Sequence, residues 1–361
     1  MKFTCDRKEL AEAFQLVAGV APQRSLKPIL TRAKITAKKD ALSVEGTDFE
    51  VAVRCVLAPI SVDAPGQVAV PAEKVASILR EAGDDEIRFE MKGNVVSVLC
   101  SDGYFRVLGE AADNFPPIPD FESATAQLGG VVLADMMKKT AFAAAEERSR
   151  YSLNGVYVSL SGKKIVLAAT DGRRLAVREE KLADKVESVS GIVPLKGVST
   201  MRRVVEAAGD VEMAMSENMV MVRAGGREVF SRLIEGKFPD YARVVPAGND
   251  NHVEAEREAL RTFIKRAALL SPADSRSVRF SVEKDALKLS ARTAEVGEAE
   301  LSLPVSYGGK SFEVDFNPNY LLDVLRTIDS DRVVLELKDG ECAGMIREGK
   351  SYTYVVMPLS V

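Results

Sequence analysis

The chain has 361 residues, 46% of them hydrophobic and 28% charged, with a formal net charge of −4. That length suits two or three domains rather than one, and the apolar content is enough for several cores. The acidic balance excludes a protein held to nucleic acid by overall basicity, though not one with its positive charge gathered on one face. With no tryptophan and 6% aromatics, base stacking is not its main contact.

The opening MKFTCDRKELAEAF is interrupted by charges and no apolar h-region follows, so no signal peptide is expected. Leu10, Ala13, Phe14 and Val17 recur at helical spacing and predict a helix over 6–18 with Asp6 as its N-cap. The alternation in ALSVEG at 41–46 predicts a strand. A second helix is expected to start at Pro71, where a first-turn proline is well placed, with Val75, Ile78 and Leu79 inward. The segments EIRFEM and VVSVLC then read as strands. After a loop-like stretch, AADNFPPIPDFESATAQ, the same order returns. A helix over 133–145 carries Leu133, Met136, Met137 and Ala141, a strand KIVLAATD follows, and another helix starts at Pro194 with Met201, Val204 and Val205 inward. Beyond PAGNDNHVEAE comes a helix over 257–270 with Leu260, Phe263, Ile264 and Ala267. A last one starts at Pro318 with Leu321, Leu322 and Leu325 inward, before the strand RVVLELK. Two helices plus several strands, three times over, predict an α+β protein.

The recurrence is also literal. GTDFEVAV at 46–53 matches ATDGRRLAV at 169–177 and, more weakly, ARTAEVGEAEL at 291–301, with Thr47, Thr170 and Thr293 at equal steps of 123. Pro71, Pro194 and Pro318 are 123 and 124 apart, and Phe115-Pro116 precedes Phe238-Pro239 by 123. This period is too long for a solenoid, whose repeats run about 20–50 residues, and is the size of a domain. Three homologous domains are expected, at 1–122, 123–247 and 248–361.

Signals of catalysis are weak. Asp48, Glu50 and Asp171 sit in the recurring motif, but the third copy has Thr293-Ala294, and Asp-Gly at 171–172 is turn chemistry. GGKS at 308–311 resembles the end of a phosphate loop, yet Pro304 stands where the first glycine is required, so a hairpin loop is expected. The single histidine, His252, lies in a polar, linker-like stretch. Cys5, Cys55, Cys100 and Cys342 are widely separated, so no zinc site, disulfide framework or other cofactor is expected. No apolar run approaches the roughly 20 residues of a membrane span, and a soluble, cytoplasmic, non-enzymatic protein is expected.

Bases cluster on the helices: Lys138, Lys139, Lys196, Arg202 and Arg203 in the second domain, and Arg257, Arg261, Lys265 and Arg266 in the third. The first has Arg7, Lys8, Lys74 and Arg80, with Arg24 just after its helix. Gathered on one surface, they would make sequence-independent, salt-sensitive phosphate contacts.

MKFT, KPIL at 27–30, GTDFE at 46–50, RYSLNG at 150–155, ATDGRRLAV at 169–177, GKFPDY at 236–241 and YVVMPL at 354–359 together make the chain resemble the bacterial DNA polymerase III beta subunits, the sliding clamps, over essentially its whole length. The resemblance implies a clamp fold: three homologous domains, each with two helices packed on antiparallel sheets, closing as a head-to-tail dimer ring. Helices would line the hole and sheets the rim. It implies a processivity factor that encircles double-stranded DNA. Its partners would be the polymerase III alpha subunit, the clamp loader and other proteins with clamp-binding motifs. Arg24, Arg150 and Tyr151 are then DNA-proximal, joining Arg80, Lys138, Lys139, Lys196, Arg202, Arg203, Arg261 and Lys265. Glu147 and Ser152 depart from the family pattern there. A partner-peptide pocket would comprise Leu153, Thr170, Gly172, Arg173, Arg174, Leu175, Pro239, Arg243, Val244, Asn317, Tyr320, Val355, Met357, Pro358 and Leu359. Arg174 and Arg243 would hold polar groups of the peptide, and Arg173 stands where some family members have histidine. Across the dimer contact, Phe105 and Val107 would meet Leu269 and Leu270, and Lys74 would face Glu298 or Glu300.

Overall fold

The computed structural model describes residues 1–121, 123–145, 151–272 and 276–359. Six α-helices lie among them: α1 Arg7–Val20, α2 Ala72–Glu81, α3 Gly130–Ala141, α4 Leu195–Val205, α5 Arg257–Ala267 and α6 Pro318–Thr327. The strands form four antiparallel sheets. No helix among the described residues is long and apolar enough to cross a membrane.

The residues fall into two compact units. The first holds Met1–Ala134 and Lys196–Leu233, the second Asp135–Leu195 and Ile234–Val361. The first unit has a five-stranded sheet in the order Ser61–Ala64, Lys2–Asp6, Glu86–Lys92, Val95–Cys100, Gly103–Leu108. Its second sheet has eight strands, in the order Ala126–Gly129, Asp210–Met215, Met219–Ala224, Arg227–Arg232, Val51–Leu57, Ala41–Thr47, Arg32–Lys38, Gly66–Pro71. The second unit has a six-stranded sheet: Gly155–Thr170, Arg174–Pro194, Tyr352–Val356, Gly344–Glu348, Arg332–Leu337, Asn251–Glu256. It also has a four-stranded one: Gly297–Pro304, Ala286–Thr293, Val278–Glu283, Phe312–Phe316.

These sheets run through the junctions between sequence repeats. Arg227–Arg232 pairs with Val51–Leu57, and Arg174–Pro194 pairs with Tyr352–Val356. Main-chain hydrogen bonding therefore groups the chain differently from its repeat period, and the central repeat is divided between the two units.

The helices bury the faces their periodicity marks. On α1, Leu10, Ala13, Phe14 and Val17 are buried, and Asp6 caps the helix by accepting the Glu9 N–H at 2.8 Å. Leu260, Ile264 and Ala267 are buried on α5, where Glu256 accepts two first-turn N–H groups. On α6, Leu321, Leu322 and Leu325 are buried, and Asn317 is the cap.

Several expectations need correction. Only Pro318 lies in a helical first turn. Pro71 is still paired with Arg32 in its ladder, and Pro194 ends a strand paired with Gly155, so each helix starts one residue later. The helix α3 runs over 130–141 instead of 133–145. Its first residue, Gly130, lies where a Cβ would stand 2.4 Å from the Val205 carbonyl oxygen, an approach only glycine permits. The GGKS segment is not a hairpin loop: the strands that flank it occupy opposite edges of their sheet. His252 is exposed, but on the strand Asn251–Glu256 rather than in a linker.

Candidate functional site

The turn between Gly155–Thr170 and Arg174–Pro194 builds one wall of a cavity of about 230 Å³ in the second unit. Thr170 Oγ1 donates to the Arg174 carbonyl at 2.5 Å and accepts the Gly172 N–H at 3.0 Å. Asp171 Oδ1 accepts the N–H groups of Arg173 and Arg174, at 2.9 and 3.0 Å. This double bracing holds Gly172 at a φ of +88°, where glycine carries no steric penalty. It also points Arg173 outward, exposed to solvent. Opposite, the Met357 N–H donates to the Arg173 carbonyl at 2.8 Å and extends the ladder past Val356.

Of the expected pocket residues, Leu153, Thr170, Gly172, Arg173, Arg174, Leu175, Pro239, Val244, Val355 and Met357 line this cavity. Leu175 and Val355 are buried in a cluster with Val166, Ile192 and Phe238, which makes the floor rigid and apolar. Met357 and Val244 stay exposed at the mouth. Tyr241 also lines the cavity and was not anticipated; the signal available was its place three residues after Phe238 in FPDY. Its ring tilts against Tyr157, which stacks on Phe238 at 5.0 Å. Burial, reinforced by Tyr157, raises the Tyr241 phenol above its usual range, so it stays neutral.

The remaining expected residues stand behind or beside the cavity. Arg174, which also lines the cavity, engages three of its five N–H donors within the protein. Its Nε meets Asp171 at 3.0 Å, Nη1 meets Asp323 at 2.7 Å, and Nη2 donates to the Phe142 carbonyl at 2.7 Å. Its guanidinium also lies 4.7 Å from the Tyr320 ring centre. Burial by itself would favour loss of its proton, but Asp323 and Asp171 more than offset this and hold it charged. Arg174 is thus a strut joining the turn to α6. Asn317 caps α6, and Leu359 is held by its N–H to the Asp315 carbonyl, with Pro358 between it and Met357. Arg243 sits next to Val244, largely exposed, and pairs with Asp240 at 2.8 Å.

The helix bases divide sharply. Arg24, Arg202, Arg203 and Lys265 are exposed and form no ion pair among the described residues. Arg80 pairs with Glu81, Arg261 with Glu258, and Lys138 approaches Asp329 at 3.6 Å. Lys196 is tied to Asp48 and to the Val20 carbonyl. Lys139 contradicts the expectation of a DNA-facing base. Its side chain is 6% exposed and its Nζ lies 3.1, 2.8 and 2.6 Å from Asp135, Asp329 and Glu348. Burial would discharge it, but these carboxylates raise its pKa instead. Tyr151 and Ser152 open the 3-10 turn Tyr151–Leu153, while Glu147 and Arg150 lie outside the described residues.

The residues expected at a dimer contact lie on or beside free sheet edges. Phe105 and Val107 belong to Gly103–Leu108, an edge strand that also exposes Tyr104 and Leu108. Glu298 and Glu300 belong to Gly297–Pro304, the edge of the four-stranded sheet. Leu269 is 77% exposed on the turn Ala268–Leu270, and the Thr293 hydroxyl ties that turn to the edge hairpin by donating to the Leu270 carbonyl at 2.7 Å. Lys74 is exposed on α2.

Comparison with known proteins gives consistent results. Family models of the DNA polymerase III beta subunit match three consecutive stretches: the N-terminal domain at residues 1–119, the central domain at 127–240 and the C-terminal domain at 242–360. The beta sliding clamp of Escherichia coli K12 is 33% identical over 364 residues, which covers 99% of this chain and 100% of that protein. The beta sliding clamp of Chlamydia muridarum is 31% identical over 362 residues, covering 99% of each. A crystal structure of the Pseudomonas aeruginosa sliding clamp bound to griselimycin superposes with a TM-score of 0.94 at 31% identity, covering all of both chains. The Thermotoga maritima beta subunit superposes with a TM-score of 0.93 at 25% identity, covering 100% of this chain and 99% of that one. In sequence and in fold, over its full length, the chain belongs to the DNA polymerase III beta subunit family.

Proposed function

We propose that this chain is a non-catalytic DNA sliding clamp. Two copies, each of three domains at 1–122, 123–247 and 248–361, close head-to-tail around double-stranded DNA. The ring tethers the polymerase III alpha subunit, the clamp loader and other proteins bearing a clamp-binding peptide. The observation that carries this is a junction the single chain leaves incomplete. Two repeat junctions are closed by strand pairing, while Gly103–Leu108 and Gly297–Pro304 keep free edges in the corresponding places. An edge strand that exposes Tyr104, Phe105 and Leu108 invites pairing.

The two closed junctions supply a register. In the first, Ala52 is the hairpin partner of Thr47, and it pairs with Phe230, three residues past Arg227, where the next hairpin closes. In the second, Leu175 is the partner of Thr170, and it pairs with Val355, three residues past Tyr352. The same rule takes Gly297, the partner of Thr293, and pairs it in a second copy with Arg106, three residues past Gly103. Phe105 then falls opposite Glu298, and Val107 opposite the exposed Val296, with Leu269 close by. A head-to-tail contact used twice closes a twofold ring.

Retention by topology needs only weak phosphate contacts, which Arg24, Arg202, Arg203 and Lys265 can make without reading sequence. Partner peptides would enter the cavity beside Leu175 and Met357, where apolar walls and a flexible methionine accept varied anchors. The test is release on cutting. Chain loaded on nicked circular DNA should stay bound through a salt wash and leave when the circle is linearised. Retention on the linear form would overturn the ring.

A further inference from the structure

The first unit carries a second version of the peptide cavity, built on the same repeat. The turn at Thr47–Val51 reproduces the turn at Thr170–Arg174 bond for bond. Thr47 Oγ1 donates to the Val51 carbonyl at 3.0 Å and accepts the Phe49 N–H at 3.0 Å. Asp48 Oδ1 accepts the N–H groups of Glu50 and Val51, at 3.0 and 2.7 Å. Beside this turn lies a cavity of about 100 Å³. Pro116 borders it as Pro239 borders the other, and Phe230 takes the place of Val355. Pro117, Pro119 and Met219 complete an apolar wall.

Two features set this cavity apart from a mere relic of duplication. The first is Phe49. At the position of Gly172 the turn demands a positive φ, and Phe49 adopts +76°, a conformation that a bulky side chain reaches only with strain. Its ring borders the cavity and is 42% exposed, with Lys27 4.7 Å from the ring centre. The chain thus keeps a strained aromatic at the mouth where glycine would fit freely.

The second feature is charge. Around the cavity beside Leu175, the turn and its neighbours carry Arg173, Arg174 and Arg243 against Asp171. At the equivalent positions here stand Glu50, Val51 and Asp120 against Asp48, and Arg232 takes the place of Met357. At these matched positions three guanidiniums and one carboxylate have become three carboxylates and one guanidinium; outside them, Asp240 stands beside the larger cavity and Lys27 beside the smaller. Some of this charge is paired locally: Asp48 with Lys196, Asp120 with Arg54, Arg174 with Asp323, Arg243 with Asp240. Glu50 and Arg173, at matching places in the two turns, are exposed and form no ion pair among the described residues.

We propose that the cavity at Thr47–Val51 is a second docking site, for an extended protein segment with one apolar anchor flanked by basic side chains. Phe49 and the prolines receive the anchor, and Glu50 with Asp120 selects the flanking bases. The smaller volume admits a single anchor. The kind of ligand rests on the peptide reading of the larger cavity, but the site stands on its own geometry.

The test uses the full-length chain and two nine-residue peptides with a central photoreactive leucine, one flanked by lysines and the other by aspartates. Cross-linked residues are mapped by mass spectrometry. The lysine peptide should label 47–52 and 116–119 saturably, and Phe49→Gly should cut that labelling at least tenfold. That variant keeps its melting temperature, because glycine suits the backbone there. Glu50→Arg should shift preference at this site from the lysine to the aspartate peptide. Labelling of this site that is unsaturable, or equal in wild type and Phe49→Gly, would overturn the proposal; so would lysine-peptide labelling confined to 170–175 and 239–244. The aspartate peptide at 170–175 reports separately on the larger cavity, so failure there leaves this site tested on its own.

Discussion

Replacing Lys139 by methionine removes one charge and little volume, and so isolates what its carboxylate cage contributes. The ammonium is 6% exposed and touches Asp135, Asp329 and Glu348, whose side chains are 25%, 66% and 17% exposed. Removing one partner of a buried ion pair costs about 3–5 kcal/mol. Asp329 is largely solvated, and an exposed pair of that kind contributes at most about 1 kcal/mol. Asp135 keeps a second cation, Arg178, at 3.4 Å. The main loss is therefore at Glu348, and Lys139→Met should destabilise the chain by about 2–4 kcal/mol. Chemical denaturation at fixed protein concentration would read this, since assembly also shifts apparent stability. Adding Glu348→Gln should recover at least about 1 kcal/mol, a coupling expected only for groups in contact. DNA binding should meanwhile keep its salt dependence, whereas loss of one phosphate contact lowers the slope of log K against log salt by about 0.9. A destabilisation below about 0.5 kcal/mol, or a slope reduced by one contact, would refute the assignment of Lys139 to an internal cage.

The same cage sets a pH response. Hydrogen bonding to Lys139 holds Asp329 below the ordinary carboxylate range, and the same lysine lowers Glu348 despite its burial. Stability from depressed carboxylates is present above their unfolded pKa values, about 4, and is lost as pH falls through the folded values. The melting-temperature gap between wild type and Lys139→Met should therefore hold near neutral pH and close in acid; a gap unchanged at pH 3 would count against the cage. Phe105→Asp should reduce the solution mass to that of one chain, while Leu26→Asp, at a fully exposed residue outside the strands, should not. Sedimentation at micromolar concentration distinguishes the two. Arg174→Lys keeps the charge but not the three-way grip, and should cost about 2 kcal/mol while weakening binding of peptides to the cavity, measured by fluorescence anisotropy.

Much of the fold was legible because periodicity and repetition are local. The buried faces of α1 and α6 follow from residue spacing, and the threonine step of 123 marked a repeated unit before any contact was known. The pairing of Arg227–Arg232 with Val51–Leu57 was not legible, because sheet partners distant in sequence leave no periodic trace. The roles of individual cations failed for a related reason. Lys139 and Arg203 look alike in a helical pattern, but one points into three carboxylates and the other into solvent. Arg174 and Arg173 are adjacent, yet the Asp171 turn sends them to opposite tasks. Tyr241 ends the GKFPDY landmark, but its place in the cavity depends on stacking near Tyr157 and Phe238, which the motif alone does not reveal.

That the sheets run across the repeat junctions has a practical consequence for dissecting this protein. A fragment ending at a repeat boundary would strip Val51–Leu57 of its neighbour, or part Arg174–Pro194 from Tyr352–Val356. Each cut would leave a long, apolar, unsatisfied ladder, the kind of surface that precipitates. The pieces that recur in the sequence are therefore not the pieces to express. Any soluble part would have to be cut out of phase with the repeat, keeping the eight-stranded or the six-stranded sheet whole.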